Sequence, residues 1–213
     1  MKLAILGANG SIGQVIVAEA RRRGHHVTAL VRDPSKVPSD DPDVSVVQAD
    51  VTGPGTIARA IRGHDALISA IGPARASEVQ LVVDAATALI EALTRAEVRR
   101  LIVLGGAGSL EVAPGWRLVD TPDFPIVWKP IALAHADALK VYREDAAALD
   151  WTYVSPAAYV EPGTRTGTYR VGFDALLTDA EGKSSISIED LAVALIDEAE
   201  QGKYLRQRIT VAY

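Results

Sequence analysis

The chain has 213 residues, of which 48% are hydrophobic and 23% are charged, and its formal net charge is −5 at pH 7. This composition predicts one globular domain with a substantial core, and the negative charge argues against a broad nucleic-acid-binding surface. The sequence contains no cysteine, which excludes disulfide bonds, thiolate catalysis and cysteine-bound metals.

Targeting and metal-binding signals are absent from the sequence pattern. No apolar stretch approaches the roughly 18 residues of a membrane-spanning helix, and a strand-like segment follows Met1 directly. We therefore expect a cytoplasmic protein with no signal peptide and no membrane contact. No metal site is expected either, because His25 and His26 are neighbours before a strand and would point to opposite faces.

Strand-like and helix-like segments alternate along the chain. Strands are predicted at residues 3–6, 27–31, 44–48, 66–70, 101–104, 151–154 and 208–212, and helices at 11–23, 56–62, 78–96, 131–149 and 188–201. This alternation predicts an α/β fold, a doubly wound, Rossmann-like parallel sheet in a single domain over residues 1–213. Ligands in this fold bind beyond the carboxyl ends of the strands. We expect the substrate pocket to come from two irregular segments, 105–130 and 155–187, the second with a hairpin around 168–171.

The turn between the first strand and the first helix carries the strongest functional signal. It reads Gly7, Ala8, Asn9, Gly10, Ser11, Ile12 and Gly13, with glycines at a spacing of three. Backbone N–H groups at a helix N-terminus bind phosphate, and glycines allow the close approach. We predict that this turn binds the pyrophosphate of a dinucleotide, with Ser11 as the helix N-cap. The alternative is a turn that only ends the strand.

The end of the second strand bears on which dinucleotide is bound. An acidic residue there favours NAD, whereas an arginine accommodates the 2′-phosphate of NADP. Arg32 stands at this position and Lys36 adds a second cation, whereas Asp33 precedes a proline and is expected to cap a turn. NADP(H) is therefore the preferred cofactor and NAD(H) a possible one. In the alternative interpretation, Arg32 and Lys36 are merely exposed basic residues.

Two further turns are candidates for nucleotide contacts. Asp50 and Val51 follow the third strand and are predicted to hold the adenine, although Asp50 alternatively caps the turn before residue 52. Ala70, Ile71 and Gly72 follow the fourth strand, where small residues would admit the nicotinamide ribose. A plain strand-ending turn is the alternative for the second group.

Several stretches of the chain resemble one known family. The most specific are Gly-Gly-Ala-Gly-Ser-Leu at 105–110 and Val-Asp-Thr-Pro-Asp-Phe-Pro at 119–125, with others at 7–13, 31–36, 134–136, 150–152, 155–158 and 206–208. They resemble the atypical short-chain dehydrogenase/reductase relatives known as NADH-flavin reductases and, more distantly, the biliverdin-IXβ/flavin reductases. The resemblance covers essentially the whole chain. It implies an NAD(P)H-dependent oxidoreductase with a flavin as substrate or loosely bound group.

The wider superfamily uses a Tyr-x-x-x-Lys pair for carbonyl chemistry, and this chain lacks it. Tyr142 is followed four residues later by an alanine, and so is Tyr153. A simple carbonyl reductase is therefore disfavoured, as is a sugar-nucleotide epimerase or lyase. Hydride transfer to a flavin fits better, because the site mainly has to stack and orient two ring systems.

Further residues are assigned to this chemistry. Gly105 and Gly106 would begin a flat floor for stacked rings, or form a structural turn. Pro156 and Ala157 would approach the nicotinamide carboxamide through backbone groups. His135 lies close to where relatives carry a Lys or His that faces the nicotinamide ribose, so it is the first catalytic candidate, with a structural histidine as the alternative.

The second-rank candidates are Ser109, as a donor to a bound flavin or quinone, and Tyr159, as a pocket wall. Trp116, Phe124 and Trp128 would stack on an aromatic substrate or bury a lid. The leading hypothesis is an NADPH-dependent reductase of a flavin, quinone or similar planar acceptor. The alternative is a non-catalytic redox sensor that binds NADP(H). We expect a small-molecule substrate, no nucleic-acid partner, and a monomer or homodimer.

Overall fold

The alternating pattern of the sequence forms a three-layer arrangement of helices and strands. The structure, a computed structural model, describes residues 1–37, 41–72 and 78–213. In chain order the elements are β1 (Lys2–Leu6), α1 (Ser11–Arg22), β2 (His26–Val31), β3 (Val44–Gln48), α2 (Pro54–Ile61), β4 (Ala66–Ser69), α3 (Gln80–Ala96), β5 (Arg100–Leu104), β6 (Glu111–Ala113), β7 (Trp116–Arg117), α4 (Lys129–Asp145), β8 (Asp150–Pro156), β9 (Tyr159–Glu161), β10 (Arg170–Gly172), β11 (Ser185–Ser187), α5 (Ile188–Gln201) and β12 (Gln207–Ala212).

Eight of these strands form the central sheet, in the order β10, β12, β8, β5, β4, β1, β2, β3. All neighbours are parallel except the edge strand β10, which runs antiparallel to β12. Because β1 pairs with β2 on one side and with β4 on the other, the direction of winding reverses between β1 and β4. The predicted doubly wound fold is confirmed, and its switch point lies beside the glycine-rich turn.

The sheet is covered on both faces, as continuous apolar strands require. Successive residues of β1 alternate between two core clusters, so that Leu3 and Ile5 pack with Ile16 of α1, whereas Leu6 packs with Leu89 of α3. Helices α2, α3 and α4 contribute to the cluster that contains Leu6, whereas α1 and α5 contribute to the cluster that contains Leu3 and Ile5. Burial of each of these side chains stabilises the fold by about 1.5–3 kcal/mol.

Three details of the prediction were wrong. The segment around 168–171 is not a local hairpin, because Arg170–Gly172 pairs with the distant strand β12. The strand expected at 151–154 extends from Asp150 to Pro156, because β12 supplies partners as far as Pro156. The helix expected at 131–149 begins at Lys129 and ends at Asp145, with a proline in its first turn, where the missing N–H has no helical partner to lose.

The second irregular segment is held to the body of the protein by buried carboxylates. Asp190 of α5 accepts hydrogen bonds from Thr166 and Gly167, and Glu19 of α1 accepts from Arg165. Burial would raise the pKa of the Glu19 carboxyl, but hydrogen bonds from Arg22, Arg165 and Arg23 hold it far below its usual range. The Glu19–Arg165 ion pair and the hydrogen bonds to Asp190 anchor the loop on the face that carries α1 and α5.

Candidate functional site

Two large cavities lie at the carboxyl ends of the parallel strands. One has a volume of about 580 Å³ and is lined by the turns that follow β1, β2, β3 and β4; we call it the glycine-loop cavity. The other has a volume of about 520 Å³ and is lined by residues after β5 and β8 and around the start of α4; we call it the Trp128 cavity. Both occupy the edge of the sheet where this fold binds ligands.

Close packing explains two glycines of the first turn. A Cβ at Gly13 would lie 2.1 Å from the carbonyl oxygen of Gly7, so helix α1 starts directly against the end of β1. Gly7 itself has φ of +83°, a left-handed conformation that favours glycine. The backbone N–H of Gly10 donates to the Gly7 carbonyl at 3.0 Å and closes the turn.

Gly10, not Ser11, is the N-cap of α1, and no side chain caps this helix. Ser11 is the first helical residue, and its exposed side chain stands at the glycine-loop cavity. The first N–H groups of a helix have no partner within it. Since Ser11, Ile12 and Gly13 line the cavity, these N–H groups are available for an anion there.

Arg32 is the cation of the glycine-loop cavity. Its exposed side chain lines the cavity and makes no hydrogen bond or ion pair with any residue that the structure describes. Asp33, by contrast, accepts from the Ser35 backbone N–H at 3.1 Å and the Ser35 hydroxyl at 2.6 Å, so it caps a turn as expected. The side chain of Lys36 lies outside the described part of the structure.

Asp50 caps its turn, as one of the two interpretations has it, and it also lines the glycine-loop cavity. Its Oδ1 accepts from the backbone N–H and from the hydroxyl of Thr52, both at 2.9 Å, so it caps the turn after β3. Those hydrogen bonds, with a smaller contribution from Arg32, lower the pKa of the Asp50 carboxyl. The residue also lines the cavity, where it stays ionised near neutral pH.

The structure brings most of the predicted nucleotide residues together. Those that line the glycine-loop cavity are Gly7, Asn9, Gly10, Ser11, Ile12, Gly13, Arg32, Asp50, Val51, Ala70, Ile71 and Gly72. Ala8 is buried beneath the turn and does not line the cavity. The prediction missed Leu6, Leu30, Val31, Ala49, Thr52 and Leu81. The first four end a predicted strand or directly follow one, so the sequence pattern indicates that they lie at this edge of the sheet. Leu81 comes from helix α3, and no local pattern indicates that it lines the cavity.

The Trp128 cavity has aromatic and aliphatic walls with few polar groups. The walls include Phe124, Trp128 and Tyr159, as the sequence suggested, but Trp116 is not among the lining residues. The other lining residues are Gly106, Ala107, Gly108, Leu118, Thr121, Asp123, Pro125, Ile131, Ala132, His135, Ala158, Leu176, Gly182 and Ser184. An apolar cavity with a few convergent polar groups is typical of a small-molecule site.

The glycines after β5 mainly serve packing. A Cβ at Gly105 would lie 1.9 Å from the ring of Tyr153, and Gly105 lines neither large cavity. A Cβ at Gly108 would lie 2.6 Å from Cβ of Ala132 on α4. Gly106 does line the Trp128 cavity and lies against the His135 ring. The structural turn therefore explains Gly105, and the proposed flat floor is reduced to Gly106, Ala107 and Gly108, of which Gly108 also packs against α4.

His135 stands at the junction of the two cavities. His135 lines the Trp128 cavity and also a gap of about 10 Å³, which Ile71 of the glycine-loop cavity lines as well. The buried hydroxyl of Tyr153 donates to the His135 carbonyl oxygen at 2.8 Å and lies 3.4 Å from Nδ1. Tyr153 therefore holds this turn of α4 in place.

Burial lowers the pKa of His135 to about 4, so the imidazole is neutral at physiological pH. Its Nε2 has no hydrogen-bond partner in the described ranges. A neutral imidazole offers one N–H donor and one acceptor. His135 is thus suited to orient a bound molecule or to give it a hydrogen bond, and it is poorly suited to supply positive charge.

The structure does not bring Ser109 to either large cavity. Its hydroxyl accepts from Arg208 Nη1 at 3.0 Å and its carbonyl from the same atom at 3.2 Å, in a separate groove that contains Asp174. The structure therefore places Ser109, the predicted donor to a flavin or quinone, outside the Trp128 cavity. Pro156 and Ala157, the predicted contacts of the nicotinamide carboxamide, do not line the cavity either. Pro156 belongs to β8 and is paired with Val211 of β12, and Ala157 is buried. Their neighbour Ala158 does line the cavity.

The described ranges contain neither a candidate membrane-spanning helix nor a candidate metal cluster. Across residues 1–37, 41–72 and 78–213, no helix is both long and apolar enough to cross a membrane. Within the same ranges, no group of three or more histidine and acidic side chains is arranged to hold a metal ion.

Comparisons with known proteins identify the family of this chain and its structural relatives. A family model described as NAD(P)H-binding matches residues 7–201. The uncharacterised protein YwnB of Bacillus subtilis is 42% identical over 214 residues, which cover 99% of this chain and 98% of that protein. A Bacteroides thetaiotaomicron protein of known structure, provisionally named an epimerase, is 37% identical with a TM-score of 0.92 over 100% of this chain and 96% of its own. A Streptococcus pneumoniae protein, provisionally named an NADH-flavin reductase, is 37% identical with a TM-score of 0.89 over 100% and 99%.

Proposed function

We propose that this chain, which belongs to the NAD(P)H-binding family, is an NADPH-dependent reductase of a flavin, quinone or similar planar acceptor. One observation carries this proposal. The glycine-loop cavity and the Trp128 cavity approach each other at Ile71 and His135. A nucleotide in the first cavity and a ring in the second would therefore meet at one point.

The residues of the glycine-loop cavity fit a dinucleotide. The uncapped start of α1 supplies backbone N–H donors for phosphate oxygens. At Gly72, an added Cβ would meet no atom of the described residues within 4 Å. Arg32 is free to bind an additional phosphate on the adenosine ribose, which favours NADPH over NADH.

The Trp128 cavity fits a planar acceptor. When bound, the reduced nicotinamide supplies a hydride, and the acceptor takes up that hydride with one proton, so that the nucleotide is oxidised and the acceptor reduced by two electrons. Phe124, Trp128 and Tyr159 offer aromatic surfaces for stacking. His135, held by Tyr153, orients the acceptor through its neutral ring. Solvent supplies the proton, because the pKa of His135 is too low for it to be a proton donor at neutral pH.

The second candidate function is a redox sensor that binds NADP(H) without turnover. The position of Tyr153 favours it, because this tyrosine is buried, its hydroxyl is bonded to the backbone of His135, and burial raises its pKa. The tyrosine that is hydrogen-bonded to His135 is thus unsuited to proton transfer. A sensor needs a nucleotide site alone, whereas a reductase needs both cavities.

The two functions are separated by an anaerobic titration with NADPH and with NADH, followed by addition of riboflavin, FMN or a quinone. For a reductase we expect loss of the reduced-nicotinamide absorbance that depends on the acceptor. The variant Gly13→Ala, which should bind the nucleotide about 100-fold more weakly, is the control for non-enzymatic oxidation. Tight binding of NADPH without oxidation by any acceptor would contradict the reductase proposal and support the sensor.

A further inference from the structure

The Trp128 cavity differs from the glycine-loop cavity in its charge. Among its lining residues in the described structure, Asp123 is the one side chain that is charged at neutral pH, because burial keeps His135 neutral. The lining includes no lysine or arginine. A bound molecule would therefore meet one carboxylate and no cation.

The arginines around the cavity are occupied elsewhere. Arg117 forms an ion pair with Asp120 at 2.7 Å, and Arg208 is held by Asp174 and Ser109. Lys129 and Lys183 are neighbours of lining residues in the chain, but neither side chain lines the cavity. Among the residues that the structure describes, no cationic side chain therefore lines the cavity.

The rim of the cavity is apolar and exposed. Ile126 and Val127, between the lining residues Pro125 and Trp128, are 82% and 70% exposed. Trp128 and Tyr159 are lining residues that are also about half exposed. Exposed apolar groups around a cavity are typical of a binding site for an apolar molecule.

We propose that the Trp128 cavity selects an uncharged planar acceptor, a quinone or an isoalloxazine without a phosphate, and discriminates against FMN and FAD. This inference rests on the proposed reductase function and names the substrate class of its acceptor site. A phosphate near Asp123 would be repelled and would lose water without gaining a cation. Phosphate groups are instead accommodated in the glycine-loop cavity, by Arg32 and the start of α1.

Binding measurements test this selectivity without turnover. The protein is first saturated with NADP⁺, so that FMN cannot occupy the glycine-loop cavity. Riboflavin and FMN, which share one ring system and differ by the phosphate, are then titrated and followed by flavin fluorescence. A second titration uses 2-methyl-1,4-naphthoquinone and calorimetry. We expect riboflavin to bind at least about 10-fold more tightly than FMN at low salt, and the difference to shrink as ionic strength rises.

A second experiment removes the negative charge of Asp123. Asp123→Asn should improve FMN binding by about 5-fold and leave riboflavin binding within about 2-fold of wild type, because only the phosphate senses this charge. The matched control is Asp145→Asn, which removes an exposed carboxylate at the end of α4, outside the cavity. It should change neither affinity.

The outcomes distinguish the inference from the function on which it rests. Preference for riboflavin or the quinone over FMN supports the inference, and the stronger of the two identifies the acceptor class. Equal affinity for FMN and riboflavin, no effect of Asp123→Asn, or no binding of any ring overturns it. Selective binding of the uncharged rings without NADPH oxidation would contradict the reductase function alone.

Discussion

The glycine-loop cavity and the Trp128 cavity lie at the same edge of one sheet, yet they are built in different ways. The first is made mostly of short turns that directly follow β1, β2, β3 and β4. The second combines the turn after β5, the start of α4, and residues 158–184, which are far apart in the chain. Backbone groups and one arginine dominate the first, and aromatic side chains dominate the second.

This difference separates recognition of phosphate from recognition of a ring. Phosphate binding needs N–H groups at a helix start and glycines, which a short local sequence can encode. A ring pocket needs side chains from several elements at suitable distances, which only the packed fold provides. The predictions below test whether the two cavities depend on these different features, starting with the largest expected effect.

The first prediction concerns the contact between Gly13 and Gly7. Gly13→Ala should weaken NADPH binding by about 100-fold, because the new Cβ would lie 2.1 Å from a backbone oxygen and the loop would have to open. Isothermal calorimetry measures this loss. The matched control is Gly55→Ala in the first turn of α2, where the nearest atom to an added Cβ is 3.8 Å away. Normal NADPH affinity in Gly13→Ala would contradict the close-packing explanation.

The second prediction concerns Arg32. Arg32→Ala should weaken NADPH binding by about 10- to 100-fold and leave NADH nearly unchanged, because only NADPH carries the 2′-phosphate. Dissociation constants for the two nucleotides, measured by fluorescence, provide the comparison. Arg62→Ala is the control, since Arg62 is an exposed arginine outside both cavities. Equal losses for the two nucleotides would exclude the 2′-phosphate assignment.

The third prediction concerns the pH dependence of stability at His135. Burial lowers its pKa to about 4, below the value of 6.5 for an unperturbed histidine, so the unfolded chain binds the proton more readily. The free energy of unfolding should not depend on this group above pH 6.5. It should fall as pH drops from 6.5 towards 4, by at most about 3 kcal/mol.

Chemical denaturation at several pH values, compared between wild type and His135→Gln, isolates this contribution. The variant should lack the part of the pH dependence that His135 causes, whatever its absolute stability. Parallel curves for the two proteins between pH 4 and 6.5 would mean that the surroundings of the imidazole do not disfavour its protonation. Carboxylates with lowered pKa values affect both proteins equally and cancel in the difference.

The fourth and smallest effect concerns Ser109. Ser109→Ala should leave kcat/KM for the acceptor within about 2-fold of wild type, because its hydroxyl bonds Arg208 outside the Trp128 cavity, and it should cost about 1 kcal/mol of stability. Ser184→Ala is the contrasting variant. The Ser184 hydroxyl lies at the cavity and accepts from the Ala158 N–H at 3.1 Å, so its loss should lower kcat/KM several-fold. A large loss in Ser109→Ala alone would restore Ser109 as a catalytic candidate.

Individual residues show where prediction from the sequence succeeded and where it ended. The turn at Asp33 was predictable, because a proline follows it and an aspartate there bonds its own backbone neighbours. Ser109 follows the glycine turn and was assigned to the site, but a partner 99 residues away, Arg208, directs it elsewhere. Tyr153 matched no catalytic spacing, and its bond to the His135 carbonyl depends on how β8 packs against α4.

By itself, the sequence determined the doubly wound sheet and the glycine loop, together with most of the turns that line the glycine-loop cavity. Hydrophobic periodicity and turn chemistry act over a few residues, so they can be read along the chain. Only the tertiary structure decided which residues line the Trp128 cavity, and it leaves Ser109 and Gly105 outside that lining. It also decided that His135 and Ile71 line the same gap. Those features come from contacts between distant segments, whose register and packing no local pattern encodes.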